Sequence, residues 1–240
     1  MKAARHAGER GFTLLELMVA VGILSMILLG AGLALNNAND VAALESTRNE
    51  MERSSQSALD RMALELRDSA ARVVTVSANG SSIQFQVPAD LNGNGTILDG
   101  AGNIEFGFLD NAVPRSGTIT YRFVQNVVGG QPEVLDESAR RMQLNNDADR
   151  ADRFARGYIL RVTQLTSGAV TKQSILTGRW IVQPDGNWGG DVDGDGAADP
   201  IFRLDGTSGR VLVNLWGLQV DSHKNRHFIR SATSICFRNK

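Results

Sequence analysis

Phe12 to Leu35 reads FTLLELMVAVGILSMILLGAGLAL, and Glu16 is the only charge in these twenty-four positions. As a helix rising 1.5 Å per residue the segment spans roughly 36 Å, enough to cross a hydrocarbon core of about 30 Å. Lys2, Arg5 and Arg10 precede it, while Asp40 and Glu45 follow it. The positive-inside bias therefore predicts a cytoplasmic N-terminus and export of everything after about residue 36. A cleaved secretory signal is the rival reading. It has a shorter apolar core and a small-residue cut on the far side. This run is longer and continues as helix without such a cut, so a retained anchor is the better reading.

Outward from the anchor, residues 36–73 turn polar but stay helix-prone. Val41, Leu44, Met51, Ser55, Leu59, Met62, Leu66, Ala70 and Val73 mostly recur at spacings of three or four, one stripe of an amphipathic helix. No proline precedes Pro88, so nothing forces a break from the anchor. The expectation is one helix of about sixty residues, with Gly30 and Gly32 as the natural place to bend because glycine weakens a helix. Past Val73 the texture changes to short β-prone runs. Residues 73–78 and 81–87 flank Asn79-Gly80, a strong hairpin signal. Residues 104–109, 118–124, 158–165, 201–204, 211–220 and 228–237 mostly alternate as half-buried antiparallel strands do. The charged stretch Glu137–Ala155 reads as a short surface helix. The fold class expected is α+β: a long N-terminal helix, its first half in membrane and its second half packed on an antiparallel β-sheet head. The divisions are a leader at 1–11, an apolar helix at 12–35, an amphipathic helix at 36–73 and a head at 74–240.

The chain of 240 residues carries a net charge of −1. The leader accounts for +2, leaving −3 on the rest, so the body lacks the basic footprint of a nucleic-acid binder. Cys236 is the only cysteine, which rules out an intrachain disulfide. Its thiol is expected to be buried rather than paired between chains.

The junction Gly11 to Leu24, GFTLLELMVAVGIL, resembles the type IV prepilin leader. A short basic leader ends in glycine, phenylalanine follows, and glutamate stands five residues into the mature chain. The resemblance implies that a prepilin peptidase cuts between Gly11 and Phe12 on the cytoplasmic face and then N-methylates Phe12. It also implies that Glu16 meets the amino terminus of a neighbouring subunit. An ionised carboxylate one turn into an apolar helix is expensive unless paired, which agrees. Thr13 and Glu16 alone are also explained by a capping box. Capping does not explain Gly11, Phe12 and the basic leader together.

The tail, VLVNLW at 211–216 and FIRSATSICFRN at 228–239, resembles the ending of PilW-like minor pilins and J-type minor pseudopilins of type II secretion. That resemblance implies a structural subunit that initiates or caps a type IV pilus or pseudopilus. Its partners would be other minor and major pilins or pseudopilins, the prepilin peptidase and the inner-membrane assembly platform. Rival tasks on the same anchor are a tip-exposed module binding a surface, DNA or a secretion substrate, and a tethered enzyme. No nucleophile elbow, Walker A loop or H-E-x-x-H motif argues for the latter.

Two loops suggest calcium. Asp191, Asp193, Asp195, Ala197 (through its carbonyl) and Asp199 have the D-x-D-x-D-G spacing of an EF-hand-type loop. Position 12, normally glutamate, is Phe202, so another segment such as Asp205 must complete the shell. The alternative is an Asp/Gly-rich surface turn. Asp90, Asn92, Asn94 and Thr96 repeat the spacing with fewer charges, with Asp99 as an extra carboxylate, and are expected to bind more weakly. His223 and His227 lie four apart but among basic residues between strands, which reads as a solvated loop rather than zinc. Trp180, Trp188 and Trp216 read as core or loop-anchoring residues.

Overall fold

The computed structural model describes residues 13–132, 134–136, 153–184, 199–206, 208–220 and 226–238. The chain divides into two units, Met1–Ser46 and Thr47–Lys240. Helix α1 (Leu14–Arg67) contributes to both and runs unbroken through Gly30 and Gly32. Within the first unit every described residue from Thr13 to Leu35 is exposed, apolar side chains included. Burial begins on α1 only at Met51 and then follows the expected stripe through Ser55, Ala58, Leu59, Met62 and Leu66.

The head is built from short and long strands. β1 (Thr75–Val76) and β2 (Ser82–Phe85) precede β3 (Val87–Pro88), β4 (Phe106–Asp110) and β5 (Val113–Arg115). β6 (Gly117–Gln125) is followed by β7 (Val127–Val128), β8 (Gln131–Pro132) and β9 (Val134–Asp136). Then come β10 (Arg153–Leu165), β11 (Val170–Ile175), β12 (Ile181–Pro184), β13 (Phe202–Asp205), β14 (Arg210–Val220) and β15 (Arg226–Cys236). The main sheet runs β1-β2-β6-β10-β12-β14-β13, with β9 and β11 also on β10 and β15 on β14. Every pairing in it is antiparallel. β3-β4-β5 and β7-β8 form separate small sheets.

Strand alternation places one face of this sheet against α1. Ile83 and Phe85 of β2, Ile119 and Tyr121 of β6, Ile159 of β10 and Val211, Val213 and Leu215 of β14 are essentially inaccessible. They join Leu59, Met62 and Leu66 of the helix in one core cluster. Burying side chains of this size contributes about 1.5–3 kcal/mol each, which is what holds the second half of α1 on the sheet. At the next inward position of β14 stands Gly217. A Cβ there would sit 2.7 Å from Met51 Cε and 2.9 Å from the Trp180 ring. Glycine lets helix and sheet close at that level.

The Asn79-Gly80 hairpin forms, with Thr75 opposite Gln84 and Val76 opposite Ile83. Its loop is wider than a two-residue turn: the Ser77 amide donates to the Ser82 carbonyl at 2.9 Å, and Asn79 Oδ1 accepts from the Ser81 amide at 3.1 Å. Gly80 has φ +65° and lies against Pro200 too closely for any Cβ. Its carbonyl accepts from Phe202 N at 2.9 Å, tying the β1–β2 hairpin to β13.

Two expectations are corrected. The helix stops at Arg67 rather than Val73, and Ala71–Val73 is a single 3₁₀ turn. Arg238 N donates to the Arg67 carbonyl at 2.7 Å, so chain from the far end of the head occupies the acceptor that the next helical turn requires. The surface helix expected over Glu137–Ala155 is contradicted at its end, because Arg153–Ala155 pair as strand with β9, and Phe154 and Ala155 also with β12. Residues 137–152 lie outside those described.

Candidate functional site

The helix begins at a reciprocal cap. Glu16 Oε2 accepts from Thr13 N at 2.9 Å and from Thr13 Oγ1 at 3.0 Å, while Glu16 N donates to Thr13 Oγ1 at 3.3 Å. The capping box is therefore real, and it brings the carboxylate back toward the peptide that follows Phe12. Gly11 and Phe12 themselves lie outside the described residues. Beyond the cap, α1 is long and apolar enough to cross a membrane, and none of its most apolar window is buried in the protein. Ser25, a polar residue in that window, donates its hydroxyl to the Val21 carbonyl at 2.7 Å, so its hydroxyl proton is satisfied within the helix.

Of the first calcium loop, Asp191, Asp193, Asp195 and Ala197 lie outside the described residues. Asp199 is described, with its carboxylate 3.9 Å from the Arg230 guanidinium. The second loop is fully described. Asp90 gathers the amides of Gly93 (2.8 Å), Asn94 (3.1 Å) and Gly95 (2.8 Å). Asn94 Oδ1 accepts from the amide and hydroxyl of Thr96, both at 2.8 Å. Glu105, which the spacing did not single out, accepts from Leu91 N at 2.7 Å and Asn92 Nδ2 at 2.9 Å. Asp99 turns away to its own loop. The Asn103 amide and side chain, with the Ala101 and Gly102 amides, hold its carboxyl below the usual range. The polar atoms of this loop thus largely serve one another. Among the described residues no three His, Cys, Asp or Glu side chains come together to hold a metal ion.

Cys236 is exposed, not buried. On β15 the inward phase is taken by Ile229 and Ile235, which leaves residue 236 on the outer face. Trp216 is buried under Arg230, whose guanidinium stands 5.1 Å from the ring, and Trp180 packs against the core. Trp188 and His223 lie outside the described residues.

One polar cluster was missed from the sequence. Glu65 accepts from Tyr121 Oη at 2.7 Å and from Arg161 Nε at 2.9 and 3.1 Å, with Arg61 Nε 3.4 Å away on the solvent side. Tyr121 and Arg161 are directly opposite each other in the β6–β10 register. Burial, and then the Glu65 carboxylate, raise the Tyr121 phenol well above its ordinary value of 10.0. The available signal was phase: Arg161 sits between Ile159 and Thr163, at an inward position of an alternating strand.

Compared with known proteins, residues 6–32 match the family model of the prokaryotic N-terminal methylation motif. The match covers part of the leader and the start of α1 and none of the head. No curated protein and no solved structure matches the chain.

Proposed function

We propose that this chain is a minor pilin or pseudopilin that initiates or caps a type IV pilus or type II secretion pseudopilus. The observation that carries the reading is the position of the methylation motif. It leads directly into an apolar helix whose membrane-length stretch finds no cover in its own fold. An apolar surface of that length is stable in lipid or among like helices, and a filament core built of packed N-terminal helices supplies the second environment. On this reading the N-terminus is cytoplasmic and the head periplasmic. A prepilin peptidase removes residues 1–11 and methylates Phe12, and the inner-membrane assembly platform passes the subunit to its pilin or pseudopilin partners. Glu16 neutralises the new amino terminus of a neighbour, and Asp191, Asp193, Asp195 and Asp199 hold a structural calcium ion.

Co-expression with a prepilin peptidase tests the central step by intact mass. The expected product has lost residues 1–11 and gained one methyl group, and Gly11→Val blocks both changes by placing a branched side chain at the cut. Persistence of the precursor mass beside a peptidase that processes a control prepilin would overturn the reading.

A further inference from the structure

The main sheet ends in β15, which has a strand on one side only, β14. In an antiparallel ladder the N–H and C=O of one residue point to the same neighbour, and successive residues alternate. Asn214 N donates to the Ile201 carbonyl at 2.8 Å and Leu218 N to the Trp180 carbonyl at 3.1 Å. Even-numbered residues of β14 thus face the side of β13 and β12, and its odd-numbered residues face β15. Val213 stands opposite Thr233 and Leu215 opposite Ser231, so the odd-numbered residues of β15 face β14 in turn. The backbones of Arg230, Ala232, Ser234 and Cys236 therefore point away from the sheet. Those of Ala232, Ser234 and Cys236 meet no hydrogen-bond partner among the described residues.

Open edges invite pairing, and proteins blunt them with bulges, prolines, charge or cover. β13 is tied to the first hairpin through Phe202 N and the Gly80 carbonyl. β11 has six residues, a lysine and a break in register. β15 has eleven residues in unbroken register, no proline, and Arg230 as the single charge between Ile229 and Cys236. Beside this edge α1 forms a wall. A cavity of about 550 Å³ lies between Arg53, Gln56 and Arg230, and one of about 500 Å³ between Asp60, Ala63, Ser234 and Cys236. Arg53, Gln56, Asp60 and Ala63 recur at spacings of three or four and so share one flank of the helix. The groove ends where Arg238 N reaches the Arg67 carbonyl. Its two halves differ in charge. Arg48, Arg53 and Arg230 against Glu52 give the first a net +2, or +1 when Asp199, 3.9 Å from Arg230, is counted. Arg48 is paired with Glu52, whereas Arg53 makes no ion pair or hydrogen bond among the described residues. In the second half Asp60 and Arg67 sum to zero.

We propose that a partner protein adds an extended segment to the free edge of β15. The segment runs antiparallel, bonds the outward backbones of Ala232 and Ser234, and sets an acidic C-terminal end beside Arg53 and Arg230. Main-chain bonds of this kind supply affinity, and the groove beside them supplies specificity. The site is separate from Gly11 and Phe12, so its failure would leave the processing reading standing. The probe is a fluorescent, blocked peptide of about six residues, alternating valine and threonine and closing on two aspartates. Its anisotropy is measured against the full chain in lipid nanodiscs, with empty nanodiscs as the blank. Saturable binding is expected. Methylating alternate peptide nitrogens should weaken it about tenfold or more in one phase and little in the other, because only one phase donates to β15. Ala232→Pro removes an outward N–H that β14 does not use, a substitution that edge strands tolerate, and should weaken binding by a similar factor. Arg53→Glu changes an exposed, unpaired side chain, so the fold is kept. It should weaken the aspartate peptide about tenfold and favour one closing on two lysines. No saturable binding, equal loss from both methylation phases, or an unchanged preference for aspartate in Arg53→Glu would each overturn the proposal.

Discussion

Glu16 and Glu65 are carboxylates on one helix, and the structure separates what each can be asked. Among the described residues Glu16 is held by Thr13 alone, in a geometry that glutamine also satisfies. Glu16→Gln therefore keeps the cap and removes the charge, whereas Glu16→Ala removes both. If the charge pairs with a neighbour's amino terminus, both variants enter the membrane but fail to enter filaments, as read by fractionation and immunoblotting of sheared filaments. Normal incorporation of Glu16→Gln would leave the residue as a helix cap only. Glu65 lies under the sheet, and its partner Tyr121 carries a phenol whose proton is held tightly by burial and by that carboxylate. Above pH 10 the unfolded chain releases this proton and the folded chain does not, so stability is full below that point and falls as pH rises through the raised folded value. Tyr121→Phe should cost about 2 kcal/mol at neutral pH, as expected for a hydrogen bond to a charged acceptor. It should also flatten the decline in melting temperature between pH 9 and 11. This cluster was hard to read beforehand because its members lie 56 and 96 positions apart in the chain. Pattern reveals that Arg161 points inward and says nothing about which carboxylate meets it.

Among the elements, length decided what could be read. β6, β10, β14 and β15 have 9, 13, 11 and 11 residues, enough alternation to show a two-residue period. β1, β3, β7 and β8 have two residues each and no period to detect. β11 was missed for another reason: five of its six residues are exposed, so backbone pairing to β10 rather than burial makes it a strand. The helix stripe was legible in phase but not in extent. Val41 matches the spacing and is 54% exposed, because sheet cover begins only near Met51. The contact between α1 and β14 at that level yields a direct test. Gly217→Ala puts a methyl group against Met51 and the Trp180 ring and should destabilise the head by about 1–3 kcal/mol. Adding Met51→Ala to it should cost less than the two changes taken singly, since the smaller side chain vacates the contested space. Denaturant melts of the four proteins of this cycle would show the coupling, and strict additivity would mean that the two elements do not meet there.

For the whole molecule, the sequence announced an apolar helix followed by a sheet-forming head because those two features are compositional. Neither the order of strands nor the joining of β13 to the first hairpin has a compositional trace. Calcium belongs to this scale because a cation at Asp191, Asp193, Asp195 and Asp199 would steady the head as a unit. At 10 mM calcium and a dissociation constant of about 10⁻⁴ M, linkage contributes about 2.7 kcal/mol. The full chain should therefore melt several degrees higher in calcium than in chelator, and Asp193→Ala with Asp195→Ala should erase the difference. Asn92→Ala should leave it nearly intact, since Asp90 and Glu105 already organise that second loop through protein hydrogen bonds. Equal melting in calcium and chelator would reduce the Asp191 loop to a turn.

The bond from Arg238 N to the Arg67 carbonyl also sets a timetable. One carbonyl of the last helical turn finds its protein donor only in the segment just after β15, made about 170 residues later. At synthesis rates of roughly 5–20 residues per second the delay is on the order of 10–30 s. Val211, Val213, Leu215 and Ile235, which cover the buried stripe of α1, arrive near the end of the same interval. Through most of it the stripe from Met51 to Leu66 has been made, and the last strands of its sheet have not. The nascent chain thus passes through a stage in which its anchor is finished and its head is still adhesive, and a holding chaperone would have its longest opportunity there.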